Sequence, residues 1–394
     1  MTLVAHSDAG KPPGLSVPTL DLSRQYEQIR VEVLAAIEKV CSSQQYILGQ
    51  EGASFENELA TFTGETAGVG CASGTDALWL ALVAGGVGPG DVVVTTPFSF
   101  FASASAIVRA GAQPVFADID PKTWNLDAEA LRRKLRAERV PKLRAILPVH
   151  LYGQCADMDR VDELAKEFDL VVIEDAAQAI GAEWNGRRAG SLGAAAAFSF
   201  YPTKNLSAYG DAGAVTTRSP EWAEHMRRLR NHGSPRRYVH EEFGWNSRLD
   251  SIQAAILRVK MRYIQEWNEA RRERAATYDR LLAEAGLVSS AGQEGPITLP
   301  WRDPRARHVF HQYVVRARRR DELKAFLAKH GVGSEVYYPI PLHLQSCFAY
   351  LGYREGDLPE AERASREVLA LPTFPELRLD EQEQVVVVIA KFYR

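Results

Sequence analysis

Residues 198 to 206 read FSFYPTKNL and set a single lysine, Lys204, in a tight turn after an apolar run. Earlier in the chain, VVIEDAAQ leaves Asp175 and Gln178 just past a second apolar run. An amine at the end of one strand and a carboxylate at the end of a neighbouring one suit pyridoxal phosphate. The lysine holds the cofactor's aldehyde as an imine, and the carboxylate keeps the pyridine nitrogen protonated so that the ring accepts electrons. A lysine near a cationic ring in a partly dry pocket has its pKa pulled down, which leaves it nucleophilic. A third piece is CASGTDAL, where Ser73, Gly74 and Thr75 precede a helical run. Free amides and the dipole at such a helix start favour a phosphate. Alone, that string is also an ordinary N-cap. Ser199 could add a hydroxyl to the same phosphate, or could be a strand serine satisfied by backbone.

These residues need a sheet to position them. Between residues 92 and 217 six short, unbroken apolar runs occur: 92–97, 114–119, 143–150, 170–175, 196–201 and 212–217. Runs of this kind suit strands buried on both faces. Helical segments at 74–85, 127–138 and 157–168 separate several of them, so an α/β sandwich on a mostly parallel sheet is expected. Ligands on such sheets sit beyond the carboxyl ends of the strands, where Asp175 lies. Upstream, residues 22–41 carry an amphipathic stripe of Tyr26, Ile29, Val33, Ile37 and Val40, and 53–62 is a second helix. Downstream, Leu249, Ile252, Ile256, Val259, Tyr263 and Trp267 predict one long helix over 248–283 that leaves one domain for another. A strand at 308–316, a helix at 321–330, a short strand near 332–337 and two closing helices make a smaller α/β domain.

The chain's 394 residues are enough for two domains of ordinary size, and 46% hydrophobic with 25% charged residues is ordinary globular composition. A net charge of -3 argues against a dedicated nucleic-acid binder, while leaving room for a local basic pocket. Cys41, Cys71, Cys155 and Cys347 are scattered, with no metal-type spacing, and read as reduced structural thiols. No apolar stretch reaches the roughly 20 residues needed to span a bilayer. The opening MTLVAHSDAGKPPG lacks the pattern of a signal peptide and reads as a loose tail, so a cytoplasmic protein without membrane or nucleic-acid partners is expected.

The segments SGTDAL, PFSFFAS, HLYGQCADMD, VIEDAAQAIGA, FSFYPTKNL, GDAGAV, GWNSRLDSIQAAIL and YYPIPLHLQ occur in this order. Together they resemble the DegT/DnrJ/EryC1/StrS family of pyridoxal-phosphate-dependent sugar aminotransferases, from about residue 17 to the C-terminus. The resemblance implies the aspartate-aminotransferase-like type I fold, with a large domain on a mostly parallel seven-stranded sheet and a smaller C-terminal α/β domain. Accordingly we expect a flexible tail over 1–17, a large domain over 18–260 and a small one over 261–394. It also implies a homodimer with active sites built at the subunit boundary.

Carried over by position, the resemblance makes Lys204 the covalent anchor and proton shuttle and Asp175 the partner of the pyridine nitrogen. Gln178 would bond the ring's phenolic oxygen and Phe100 would stack on the ring face. Gly74, Thr75 and Ser199 match the phosphate cup, and Asn246 an asparagine that reaches this phosphate from the neighbouring subunit. Arg248, Tyr337, Tyr338 and His343 align with a wall that meets the sugar nucleotide. The tyrosines could equally pack one domain on the other. Arg236 and Arg237, with Arg248, are candidates for a diphosphate, although an Arg-Arg pair is commonly a solvated charge run.

The activity implied is transfer of an amino group from glutamate to a nucleotide-linked keto sugar, with a thymidine-linked 3-keto-6-deoxyhexose foremost. Uridine-linked 3-keto or 4-keto sugars and cyclitol ketones are the alternatives. Sugar dehydratases of the family carry histidine at the lysine position, and Lys204 excludes that pattern. A non-catalytic regulator would be expected to have lost the lysine, the aspartate or the phosphate cup, and all three are present.

Overall fold

The computed structural model describes residues 16–137, 140–289 and 294–394. Its centre is a seven-stranded sheet in the order Ala67–Cys71, Gly213–Thr217, Ala195–Ser199, Val171–Asp175, Leu143–Leu147, Val92–Thr95 and Gln113–Phe116. Five of these strands run parallel in one block, and Gly213–Thr217 runs antiparallel between Ala195–Ser199 and Ala67–Cys71. The six apolar runs each form one of these strands.

Each run is buried on both faces because its alternate residues enter two different cores. Ile146, Val172, Ala196, Phe198 and Ala214 face one core, while Ala145, Leu147, Ile173, Ala197 and Val215 face the other. The helices Gly74–Ala84, Ala128–Ala137 and Met158–Phe168 cover those faces. Burial of a Val, Leu or Ile side chain is worth roughly 1.5–3 kcal/mol, so the double burial accounts for the lack of polar alternation in these strands.

The register then sets the site. Asp175 ends its strand opposite Ala197, and Ser199 and Cys71 both lie opposite Gly213. The carboxyl ends of three strands, and the start of helix Gly74–Ala84 just after Cys71, thus converge on one edge.

The structure corrects several expectations. The predicted long helix is two, Ser251–Met261 and Ile264–Glu284. The break at Arg262 and Tyr263 keeps near-helical dihedrals, so it leaves no mark on the apolar stripe. The strand expected at 332–337 is absent; only single bridges, Val17 with Val332 and Glu335 with Ala370, occur there. Its place is taken by Val368–Leu371, which pairs with Tyr313–Ala317. Most of the tail expected at 1–17 lies outside the described residues. Val17, however, is fully buried with Tyr278, Tyr313 and Ile389 in a third core, because Gly331 and Gly333 exchange backbone hydrogen bonds with it. No helix among the described residues is long and apolar enough to cross a membrane.

Candidate active site

Asp175 lies at the floor of the cleft, nearly fully buried. Ser103 Oγ donates to its Oδ2 at 2.7 Å, and the Ala177 amide donates to its Oδ1 at 3.2 Å. Ser99 Oγ sits 2.7 Å from Ser103 Oγ. Because Ser103 gives its proton to the carboxylate, Ser99 donates to Ser103, and the two form a relay. Burial pushes the Asp175 carboxyl up, while Ser103, the Ala177 amide, Lys204 and His150 pull it back. Neither serine was singled out from the sequence, since a hydroxyl in the run SFFASAS carries no spacing signal.

Lys204 hangs in a turn closed by its own amide, which donates to the Tyr201 carbonyl at 2.8 Å. The flanks of the loop are joined by Ala208 N to Phe200 O and Phe200 N to Ala212 O, both 2.8 Å. Lys204 is half-buried. Burial lowers its amine to about 8, against an upward pull from Asp175. A second lysine braces the loop from behind. Lys260, fully buried, donates to Ser207 Oγ at 2.8 Å and lies 4.7 Å from the centre of the Tyr209 ring.

The phosphate-sized niche follows from close approach. A Cβ on Gly74 would meet Ser199 Cβ at 2.5 Å, and one on Gly213 would meet the Ser73 backbone at 2.3 Å. Only glycine lets the helix start lie against the strand end. Ser73 caps the helix by accepting from the Asp76 amide at 3.1 Å, so the first amides, of Gly74 and Thr75, remain for a ligand.

Gln178 accepts from the Tyr152 amide at 2.7 Å and donates to Tyr338 Oη at 3.1 Å. Tyr338 lies 6.3 Å, ring to ring, from both Phe98 and Phe100. Phe100 is 58% exposed and faces the cleft rather than the core. Tyr337 accepts from the Tyr152 hydroxyl through its carbonyl. The structure therefore gathers Gly74, Thr75, Phe100, Asp175, Gln178, Ser199, Lys204, Tyr337 and Tyr338 around one cleft.

Three candidates stand apart. His343 is enclosed, not on the cleft wall: it is 1% exposed, and its Nε2 lies 3.1 Å from Glu362 Oε1. Asn246 is exposed in the segment 231–247 beside Trp245, which packs 6.3 Å from Trp79. Arg248 donates to Asn231 Oδ1 at 3.2 Å in the same segment. Neither touches the Asp175 floor of its own chain.

The niche, the buried carboxylate and the lowered amine fit pyridoxal phosphate, which needs a phosphate seat, a pyridine-nitrogen partner and a nucleophile in that arrangement. The model of the DegT/DnrJ/EryC1/StrS aminotransferase family matches residues 27–390. This chain belongs to that family. Pyridoxal phosphate is its cofactor, and it is a sugar aminotransferase. It is 52% identical to a protein of Geobacillus stearothermophilus named pleiotropic regulatory protein, over 96% of this chain and 99% of that one. It is 44% identical to the dTDP-3-amino-3,4,6-trideoxy-alpha-D-glucose transaminase of Streptomyces venezuelae, over 94% of each. Among solved structures, S. venezuelae DesV in complex with a ketimine intermediate superposes with a TM-score of 0.90 at 43% identity, covering 96% of this chain and 98% of that one. NtdA of Bacillus subtilis, with bound cofactor PMP, superposes with a TM-score of 0.85 at 31% identity, covering 96% and 85%.

Proposed function

We propose that this chain transfers the amino group of glutamate to the carbonyl of a nucleotide-linked keto sugar, with the 3-position of a thymidine-linked 6-deoxyhexose as first choice, and that it works as a homodimer. The observation that carries this reading is the meeting of Lys204 with Asp175 at the edge of one sheet, beside a niche that only glycine permits at position 74. The likeness to the S. venezuelae transaminase supports the thymidine-linked, 3-amino choice.

Pyridoxal phosphate, when bound, supplies an aldehyde carbon that exchanges amino groups and a ring that stores the electron pair released as a proton leaves. Lys204 Nζ would hold it covalently and would carry the proton, since an amine lowered to about 8 is poised to take and return one. Asp175 would place negative charge against the pyridine nitrogen, and Ser103 holds that carboxylate in orientation and favours its ionised form. Gln178, whose Oε1 is held by the Tyr152 amide, would turn its NH2 from Tyr338 Oη toward the ring oxygen. Gly74 and Thr75 amides with Ser199 Oγ would hold the phosphate, and Phe100 would cover the ring face. We assign Asn246 to the partner subunit's phosphate, and Arg248, Tyr337 and Tyr338 to the sugar nucleotide.

We further propose a large domain over 18–260 and a small one over 261–394. Helix Ile264–Glu284 supports this, since Ile264 packs in one core and Ala275, Tyr278 and Leu282 in another. All four cysteines are free thiols, which suits the cytoplasm.

The name of the G. stearothermophilus relative supports a second reading, a regulator. The two separate on turnover. Glutamate should be consumed with thymidine-linked 3-keto sugar, and NMR should find the new amine at carbon 3. A protein inert toward a panel of 3-keto and 4-keto nucleotide sugars would fail the enzymatic reading.

A further inference from the structure

We propose that Arg271 receives a carboxylate of the amino donor, in a cavity that opens beside Lys204. This deepens the aminotransferase reading and rests on it. The cavity, of about 460 Å3, is lined by Leu20, Thr203, His311, Gln312 and Tyr337 as well as Arg271. Thr203 precedes Lys204 and Tyr337 precedes Tyr338, so it adjoins the cleft already described. Arg271 is the one charged side chain among its described lining residues.

Arg271 projects from helix Ile264–Glu284 and is 4% exposed. Its Nη1 donates to the carbonyls of Phe310 at 3.2 Å, His311 at 3.2 Å and Thr373 at 2.9 Å. Those neutral acceptors orient the guanidinium without cancelling its charge. No carboxylate lies within ion-pairing distance of it among the described residues; Glu376 acts only from further off. A buried cation without a paired anion is costly, and an anion entering the cavity would remove that cost.

The rest of the lining is consistent with a carboxylate. Gln312 Oε1 is buried and without a partner. An amide can be turned over, and then its NH2 would donate to the same anion. His311 Nδ1 lies 3.1 Å from Asn205 Oδ1, so that nitrogen carries the proton, and burial keeps the ring neutral. One planar guanidinium between apolar walls, Leu20, Leu22 and Leu371, matches a single carboxylate. A diphosphate would bring more charge than one cation can balance.

The test uses the cofactor-loaded protein and glutarate, a dicarboxylate that binds without turnover. Calorimetric titration should give glutarate at least about tenfold tighter binding than the uncharged glutaramide. Arg271→Lys and Arg271→Gln should each lose at least about tenfold in glutarate affinity. Should both variants fail to fold, the comparison of glutarate with glutaramide on the unaltered protein still decides. Equal binding of the two probes, no binding of glutarate, or full glutarate affinity in a folded variant would overturn the proposal. So would a nucleoside diphosphate whose affinity, rather than that of glutarate, falls in Arg271→Lys. The aminotransferase reading fails separately. A protein that binds glutarate through Arg271 yet aminates no keto sugar keeps the subsite and loses the activity.

Discussion

The floor of the cleft and the segment 231–247 are built in opposite ways. Asp175 is buried and accepts two hydrogen bonds, Gln178 is held at both ends of its amide, and Gly74 lies against Ser199 with no room for a methyl group. The segment 231–247 instead exposes Tyr238, Phe243 and Trp245, with Phe243 99% accessible. The chain holds its carboxylate floor and the niche at Gly74 preformed, whereas the segment 231–247 leaves large aromatic side chains open, which suits the proposed contact with a second copy. Preorganisation is concentrated where charge develops, and the exposed aromatic surface is of the kind an interface covers.

That contrast is breakable, beginning at the floor. Lys204→Ala should lower transamination by on the order of 10^4-fold or more, since anchor and proton carrier go together; steady-state turnover with glutamate measures it. Asp175→Asn should cost about 10^2–10^3-fold in kcat, as removal of one partner from a buried charge pair does, while cofactor stays bound by absorbance. Gly74→Ala should weaken cofactor affinity and destabilise the fold by about 1–3 kcal/mol, read by melting, because the new methyl must displace Ser199.

At the other pole, mixing Lys204→Ala subunits with Asn246→Ala subunits should restore part of the activity lost in each, because one of the two shared sites would then be intact. Recovery that is absent despite subunit exchange would place Asn246 outside the partner's site.

The smallest effect concerns pH. The folded Lys204 amine titrates near 8, whereas an unfolded lysine does so near 10.4. Between these values the unfolded chain binds more protons, so stability of the cofactor-free protein should rise with pH across that window. Lys204→Met should remove this rise, and denaturant titrations at pH 8 and 10 would show it.

Much of this architecture was legible because its signals were of the kind a sequence carries. Strands buried on both faces leave continuous apolar runs, and a phosphate niche leaves small residues before a helix. Strand Ala67–Cys71 escaped notice since Gly68 and Gly70 interrupt its apolar character. A Cβ on Gly68 would strike the Glu56 carbonyl at 2.4 Å, so packing of helix Gln50–Thr63 erased the strand's own signature. The Ser99–Ser103 relay was invisible for a related reason, namely that its meaning lies in a contact across 72 residues of chain. His343 was misplaced because a motif gives position but not orientation. Its ring turns inward to Glu362, and only the packing shows that.

The most direct measurement is borohydride reduction of the yellow, cofactor-loaded protein followed by peptide mapping. The account predicts one reduced adduct, on the peptide holding Lys204, and its disappearance when glutamate is added first. An adduct on Lys260 or elsewhere, or none at all, would contradict it.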